Sequence, residues 1–258
     1  MSERKPGTYT GFCARYSWIL QIRKKNMIGV IVQLTLSWLI VWFFEKGNLS
    51  FLGFYPTKRR LVDFVLFFFI TALCCSTGFF LRMYFAKEQW GLNHSLTPKL
   101  ILEAVWWNVK SVLFEELIFR GVIFYILIKK VGSLKAIIIS AIAFGIYHWF
   151  SYEVIGNPIQ MAITFVITGI MGLLYAYGYA KTFSLYIPCA IHLGWNLTQG
   201  FIFSQGPIGK GIFIQVMPQP TVNVSYLVYF IILIFPMLST LLIDFFILRQ
   251  RPQANLKT

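Results

Sequence analysis

The stretch Leu100–Ile128 reads LILEAVWWNVKSVLFEELIFRGVIFYILI, and its reading decides the class of fold. As one helix it would run about 43 Å at 1.5 Å per residue, more than the roughly 30 Å of a bilayer core. Leu, Ile, Val, Phe and Trp dominate it, yet it holds Glu103, Lys110, Glu115, Glu116 and Arg120. Charge inside an apolar span is expensive and usually kept for function. To either side lie further apolar runs: Met27–Phe44 and Leu61–Leu81 before it, then Lys135–Phe150, Ile159–Tyr179, Phe183–Phe203 and Val224–Leu248. Lys and Arg flank most of them, and Ser204–Asn223, rich in Pro and Gly, reads as a loop. The pattern predicts an all-α polytopic membrane protein with about seven to eight transmembrane helices around a central polar cavity. Lys135–Phe150 is the shortest run and the one that could be re-entrant.

Composition agrees. Of the 258 residues, 57% are hydrophobic and only 12% charged, and the mean hydropathy is +0.68. A soluble domain could not bury so much apolar surface, and a disordered chain would be poor in aromatics and rich in charge. Lys and Arg number 23 against 9 Asp and Glu, a net charge of +14. That excess sits at span ends, so it reads as membrane-flanking charge and not as a nucleic-acid surface. Cys13, Cys74, Cys75 and Cys189 show no metal-ligand or redox spacing and behave as small apolar residues. Residues 1–26 are basic and lead into an apolar run too long for a signal-peptide core, so they read as a retained cytoplasmic or interfacial segment. The chain then divides into N-terminal transmembrane helices and loops (27–99), a core (100–203), and a loop, last helix and basic tail (204–258). With every run a full span, positive charge splits evenly across the membrane. With Lys135–Phe150 re-entrant it favours a cytoplasmic N-terminus. No internal repeat supports a transporter.

Within the charged stretch, Glu116 and Arg120 stand i,i+4 with the acid N-terminal, the better orientation for a helical ion pair. Glu115 lies about 100° around the helix from Glu116. Two adjacent carboxyls sharing one guanidinium read either as a buried ion-pair cluster or as a pair in which one carboxylate is a candidate general base. Glu103 and Lys110 read as an interfacial pair. Two of the three histidines fall in apolar runs: His148 at the end of Phe144-Gly145-Ile146-Tyr147-His148, and His192 four residues before Asn196. A carboxylate, two imidazoles and an amide on separate spans are the inventory of a hydrolase: base, proton carrier and oxyanion donors. His94 lies in a polar loop and reads as a surface residue. Trp106, Trp107, Tyr147 and Trp149 lie near these residues in sequence and point to an apolar or amphipathic substrate.

Glu115-Glu116…Arg120, Phe144…His148 and His192…Asn196, in that order on successive apolar segments, resemble the CPBP family of CAAX-type prenyl-protein endopeptidases and bacteriocin-processing or Abi proteins. The match runs from about Leu100 to Phe203, and Leu52-Gly53-Phe54 resembles a turn common in bacterial members. The resemblance implies a glutamate-type intramembrane endopeptidase that uses no metal or other cofactor, and the modest length, short loops and Lys-, Ile- and Phe-rich composition point to a bacterial cell membrane. Glu115, assisted by His148, would activate water, and His192 and Asn196 would stabilise the oxyanion. Glu116 and Arg120 would hold the constellation, with Phe144 packed beneath His148. The implied partner is a peptide or membrane-protein substrate such as a peptide pheromone, bacteriocin or CAAX-like chain.

Two other readings of the same residues remain. Glu115, His148 and His192, with Cys189 three residues before His192, could ligate zinc, although no HExxH occurs. The scaffold could also serve a non-enzymatic immunity protein or membrane chaperone. Asp244, near the end of the last run, has no assigned role.

Overall fold

Four threonine, asparagine and serine caps set the starts of the long helices. Thr57 accepts from the Arg60 N–H to open α1 (Lys58–Phe85), and Thr97 does the same for Leu100 at the head of α2 (Pro98–Arg120). Asn157 caps α5 (Pro158–Thr182) and Ser225 caps α7 (Tyr226–Gln250). Proline at the first position of α2 and α5 suits a site whose N–H has no helical partner. Between α2 and α5 lie α3 (Val122–Val131) and α4 (Ser133–Ser151). A short α6 (Tyr186–Leu197) runs into a π turn at Thr198–Ile202. The structure, a computed structural model, describes residues 49–204, 211–217, 219–220 and 222–254 and scattered positions between 31 and 42. Segment 1–26 and most of the expected span Met27–Phe44 lie outside the described residues.

Among these, α1, α4, α5 and α7 are long and apolar enough to cross a membrane. Their outward faces are apolar and open, with Leu61, Val65, Phe69 and Leu73 of α1 between half and about two-thirds exposed. Such faces suit an integral membrane protein, whose solvent is lipid. The remaining expected spans differ in form. Leu100–Ile128 is not one helix: it divides at Gly121, where a Cβ would lie 2.0 Å from the Leu117 carbonyl oxygen. The chain leaves α2 there and re-enters as α3. Phe183–Phe203 shortens to α6 and its π turn, because Phe183 takes a left-handed conformation (φ 44°) that ends α5. The loop expected at Ser204–Asn223 contributes a strand, β2 (Phe213–Gln215), paired antiparallel with β1 (Trp90–Leu92) in the register Gly91↔Ile214.

α4 packs along α5, and α1 along both α6 and α7. Small residues set the closest approaches: a Cβ on Gly194 of α6 would meet the Phe68 carbonyl oxygen of α1 at 2.6 Å, and one on Gly78 of α1 would meet Pro236 of α7 at 2.7 Å. The start of α6 is fixed from outside. Gly53 (φ 66°) forms the turn after Leu52, the Leu185 N–H donates to the Leu52 carbonyl at 3.0 Å, and the Tyr186 hydroxyl donates to that of Phe54 at 3.2 Å. Asp244 is fully buried on α7 and accepts a hydrogen bond of 2.9 Å from Thr71 of α1. Its place is thus in the α1–α7 contact.

Candidate active site

Three helices bring the sequence-predicted side chains together. The last turns of α2 supply Glu115, Glu116 and Arg120; α4 supplies Phe144 and His148; α6 supplies His192 and Asn196. Glu116 and Arg120 are fully buried and paired at 3.4 Å, as their i,i+4 spacing predicts. Burying both charges is costly unless other partners complete them. Arg120 gains them: it donates to the Gly172 carbonyl of α5 at 3.2 Å, and its guanidinium lies over the rings of Phe144 and Tyr175 at 4.4 and 5.1 Å. Gly172 permits this approach, because a Cβ there would press on the Phe144 ring at 3.1 Å.

Glu116 also reaches across to α6, where its Oε1 lies 2.7 Å from His192 Nδ1. A carboxylate only accepts, so Nδ1 carries the proton and the ring turns Nε2 outward. His148 is set in the same way. Its Nδ1 lies 2.8 Å from the Phe144 carbonyl oxygen, which also can only accept, so its Nε2 is turned outward as well. Both Nε2 atoms face Glu115: Oε2 is 3.7 Å from that of His192 and 3.9 Å from that of His148. These separations exceed a direct hydrogen bond and leave all three atoms able to contact one small polar group.

Aromatic rings hold both imidazoles. Tyr175 stacks on His192 with centroids 4.9 Å apart and planes inclined by 16°. Phe144 lies edge-on to His148 at 4.4 Å. Tyr152 approaches His148 at 5.0 Å.

Phe144, His148, His192 and Asn196 line a cavity of about 730 Å³. Its other walls come from α1 (Phe79, Arg82), α5 (Ile163, Met171) and α7 (Leu233, Pro236), so it is mainly apolar with a few polar groups at one side. Asn196 is partly exposed on this wall and makes no side-chain hydrogen bond among the described residues. Several residues here were not singled out by sequence. Tyr175, Tyr152, Trp195 and Gln199 line the cavity, whereas Trp106, Trp107 and Trp149, expected near the site, do not. Trp106 is half exposed, and the Trp149 indole ties α4 to the Met161 carbonyl of α5. Glu103 pairs with Lys99 on the exposed start of α2, at 4.0 Å, where Lys110 was expected. His94 is exposed, as its loop position implies.

Among the described residues, no group of three or more His, Cys, Asp or Glu side chains is placed to hold a metal ion. Cys189, the fourth ligand of the zinc alternative, packs against apolar clusters that include Leu117 and Val112.

Residues 97–198 match the family described as Type II CAAX prenyl endopeptidase Rce1-like. The matched segment opens at the cap of α2 and ends in the π turn after α6, so it contains every residue of the constellation. The resemblance read from the three motifs is borne out over this segment. No curated protein and no solved structure matches the chain.

Proposed function

We propose that the protein is an intramembrane endopeptidase that hydrolyses a peptide bond in a membrane-associated chain, with Glu115 as the base. The observation that carries this reading is the convergence of Glu115 Oε2 with the Nε2 atoms of His148 and His192 beside the cavity wall. A water there would give a proton to Glu115 or to the Nε2 lone pair of His148 as its oxygen bonds to the scissile carbonyl carbon. The carbonyl oxygen becomes an oxyanion. Asn196 donates to it from its amide, and His192 can donate from Nε2 only as an imidazolium, with Glu116 as counter-ion at 2.7 Å. Breaking the C–N bond sends the proton held on Glu115 or His148 to the leaving amine. Arg120 pairs with the same Glu116 oxygen, Oε1, at 3.4 Å, so the Glu116–Arg120 pair positions His192 without touching the substrate. The apolar walls favour a chain with lipid-like or bulky apolar groups.

No step in this scheme uses a metal. Metal content of the purified protein, together with activity before and after chelation, tests that directly; activity that disappears with a stoichiometric zinc replaces the scheme with a zinc one. The main test compares membrane peptides and small proteins in cells carrying wild type, Glu115→Ala, His148→Ala or His192→Ala. A substrate should accumulate uncleaved in all three variants. If the three reach the membrane and leave every peptide processed as in wild type, the protease assignment fails and a non-enzymatic role on the same scaffold stands.

A further inference from the structure

A second cavity, of about 500 Å³, lies at the opposite end of the helices from β1 and β2. It sits between the start of α1, the α5–α6 turn and the segment after α7, and belongs to none of the catalytic residues. Arg59 and Arg60 line it together with the hydroxyl-bearing Thr57, Thr182, Ser184 and Tyr186. Arg60 is partly committed, because its guanidinium donates to the Tyr55 carbonyl at 2.8 Å. Arg59 is exposed and its side chain makes no hydrogen bond or ion pair among the described residues. The one acid in the wall, Asp63, is neutralised by Arg251 at 2.6 Å, so it does not oppose an incoming anion. Lys58, Lys181 and Arg249 add positive charge at this end. At the other end Arg82, Lys87 and Lys99 are offset by Glu88, Glu103 and Glu153.

We propose that this cavity binds the phosphate of an anionic phospholipid. Guanidinium groups pair with phosphate oxygens in a geometry that ammonium groups cannot reproduce. The Thr57 hydroxyl accepts from the Arg60 N–H and keeps its own proton as a further donor, whereas those of Thr182, Ser184 and Tyr186 donate to backbone carbonyls. The surface below the cavity on α1, formed by Leu61, Val62 and Val65, is apolar and about half exposed. A headgroup in the cavity thus leaves its acyl chains a lipid-facing path along α1. A free phosphate would use the same donors but not this path.

The full-length protein, purified in detergent and exchanged into phosphatidylcholine nanodiscs with or without phosphatidylglycerol, tests the proposal by native mass spectrometry of retained lipid. Phosphatidylglycerol should be retained in preference to phosphatidylcholine. Arg59→Gln should weaken that retention roughly fivefold, the effect of one basic side chain at an anionic surface, while Arg59→Lys should weaken it less. Lys87→Gln, at the other end, should leave it unchanged. Because the Arg59 side chain bonds to nothing among the described residues, a folding defect does not confound the result; unchanged melting temperature confirms this for each variant. Equal retention of both lipids, or retention untouched by Arg59→Gln, overturns the proposal. Displacement by inorganic phosphate with no dependence on acyl chains also overturns it, and assigns the site to a soluble phosphate.

Discussion

Glu115 and Glu116 are neighbours in sequence but occupy opposite sides of the site's chemistry. Glu116 is sealed between Arg120 and His192, and Glu115 faces the two Nε2 atoms. Their neutral amides should therefore fail differently. Glu116→Gln leaves Arg120 without its carboxylate inside an apolar wall and should cost about 3–5 kcal/mol of stability. Glu115→Gln removes a proton acceptor, with a melting temperature close to wild type and activity lower by about 10²–10⁴-fold. Thermal unfolding in detergent beside a peptide-cleavage assay reads both; the reverse pattern would exchange the roles assigned to the two acids. Tyr175 is the residue that sequence reasoning passed over. The spacing of Glu116 and Arg120 lies on one helix and is legible, but the ring that stacks on His192 and underlies Arg120 comes from α5, more than fifty positions away, where it resembles any core tyrosine. Tyr175→Phe keeps the ring and should retain most activity. Tyr175→Leu loses the stack and the cation–π contact, together about 1–2 kcal/mol, and should lower kcat more than it raises KM, because it moves His192 without lining the substrate path alone.

At the scale of elements, apolar runs and flanking charges marked where helices lie, and α1, α4, α5 and α7 emerge within a few residues of those limits. The breaks were less legible. A single glycine within an apolar run usually reads as a tolerated helix position, so Gly121 gives no sign in sequence that α2 ends there. Its reason is a backbone path that places the Leu117 carbonyl against the missing side chain. The α6 helix shows the same dependence on close approach. Gly194 lies between His192 and Asn196, and a Cβ on it would strike the Phe68 carbonyl of α1 at 2.6 Å. Gly194→Ala should push α6 away from α1, costing about 1–3 kcal/mol and displacing both residues. The expected outcome is lower cleavage activity with a lower melting temperature; an Ala variant with wild-type values for both would show that α6 is not held by that contact. Asp244, unassigned from sequence because its partner is on a distant helix, joins α7 to α1 through Thr71. Asn can still accept from Thr71 without a buried charge, so Asp244→Asn should change stability by no more than about 1 kcal/mol, whereas Asp244→Leu should lower the melting temperature.

For the whole molecule, the arrangement of charge becomes informative only once the ends of the helices are known. Counted along the sequence, basic residues divided evenly between alternate loops. Among the described residues Lys58, Arg59, Arg60, Lys181, Arg249 and Arg251 gather at one end with Asp63, while at the end with β1 and β2 Arg82, Lys87 and Lys99 stand with Glu88, Glu103 and Glu153. Basic residues flanking spans are enriched on the cytoplasmic side, which is also where anionic lipid creates a negative surface potential. The lipid-binding end is therefore predicted to face the cytoplasm and the end with the two strands to face outward. Cysteine labelling in a variant whose native cysteines are replaced tests this. An impermeant thiol reagent should modify Lys99→Cys in intact cells and Arg249→Cys only after permeabilisation, and the opposite result would invert the protein. The same assay on Ser2→Cys bears on the N-terminus. With the start of α1 inside, a crossing Met27–Phe44 puts residue 2 outside and labels it in intact cells. A cytoplasmic N-terminus, the orientation expected from loop charge with a re-entrant segment, instead leaves residue 2 protected and requires Met27–Phe44 to return to the side from which it entered.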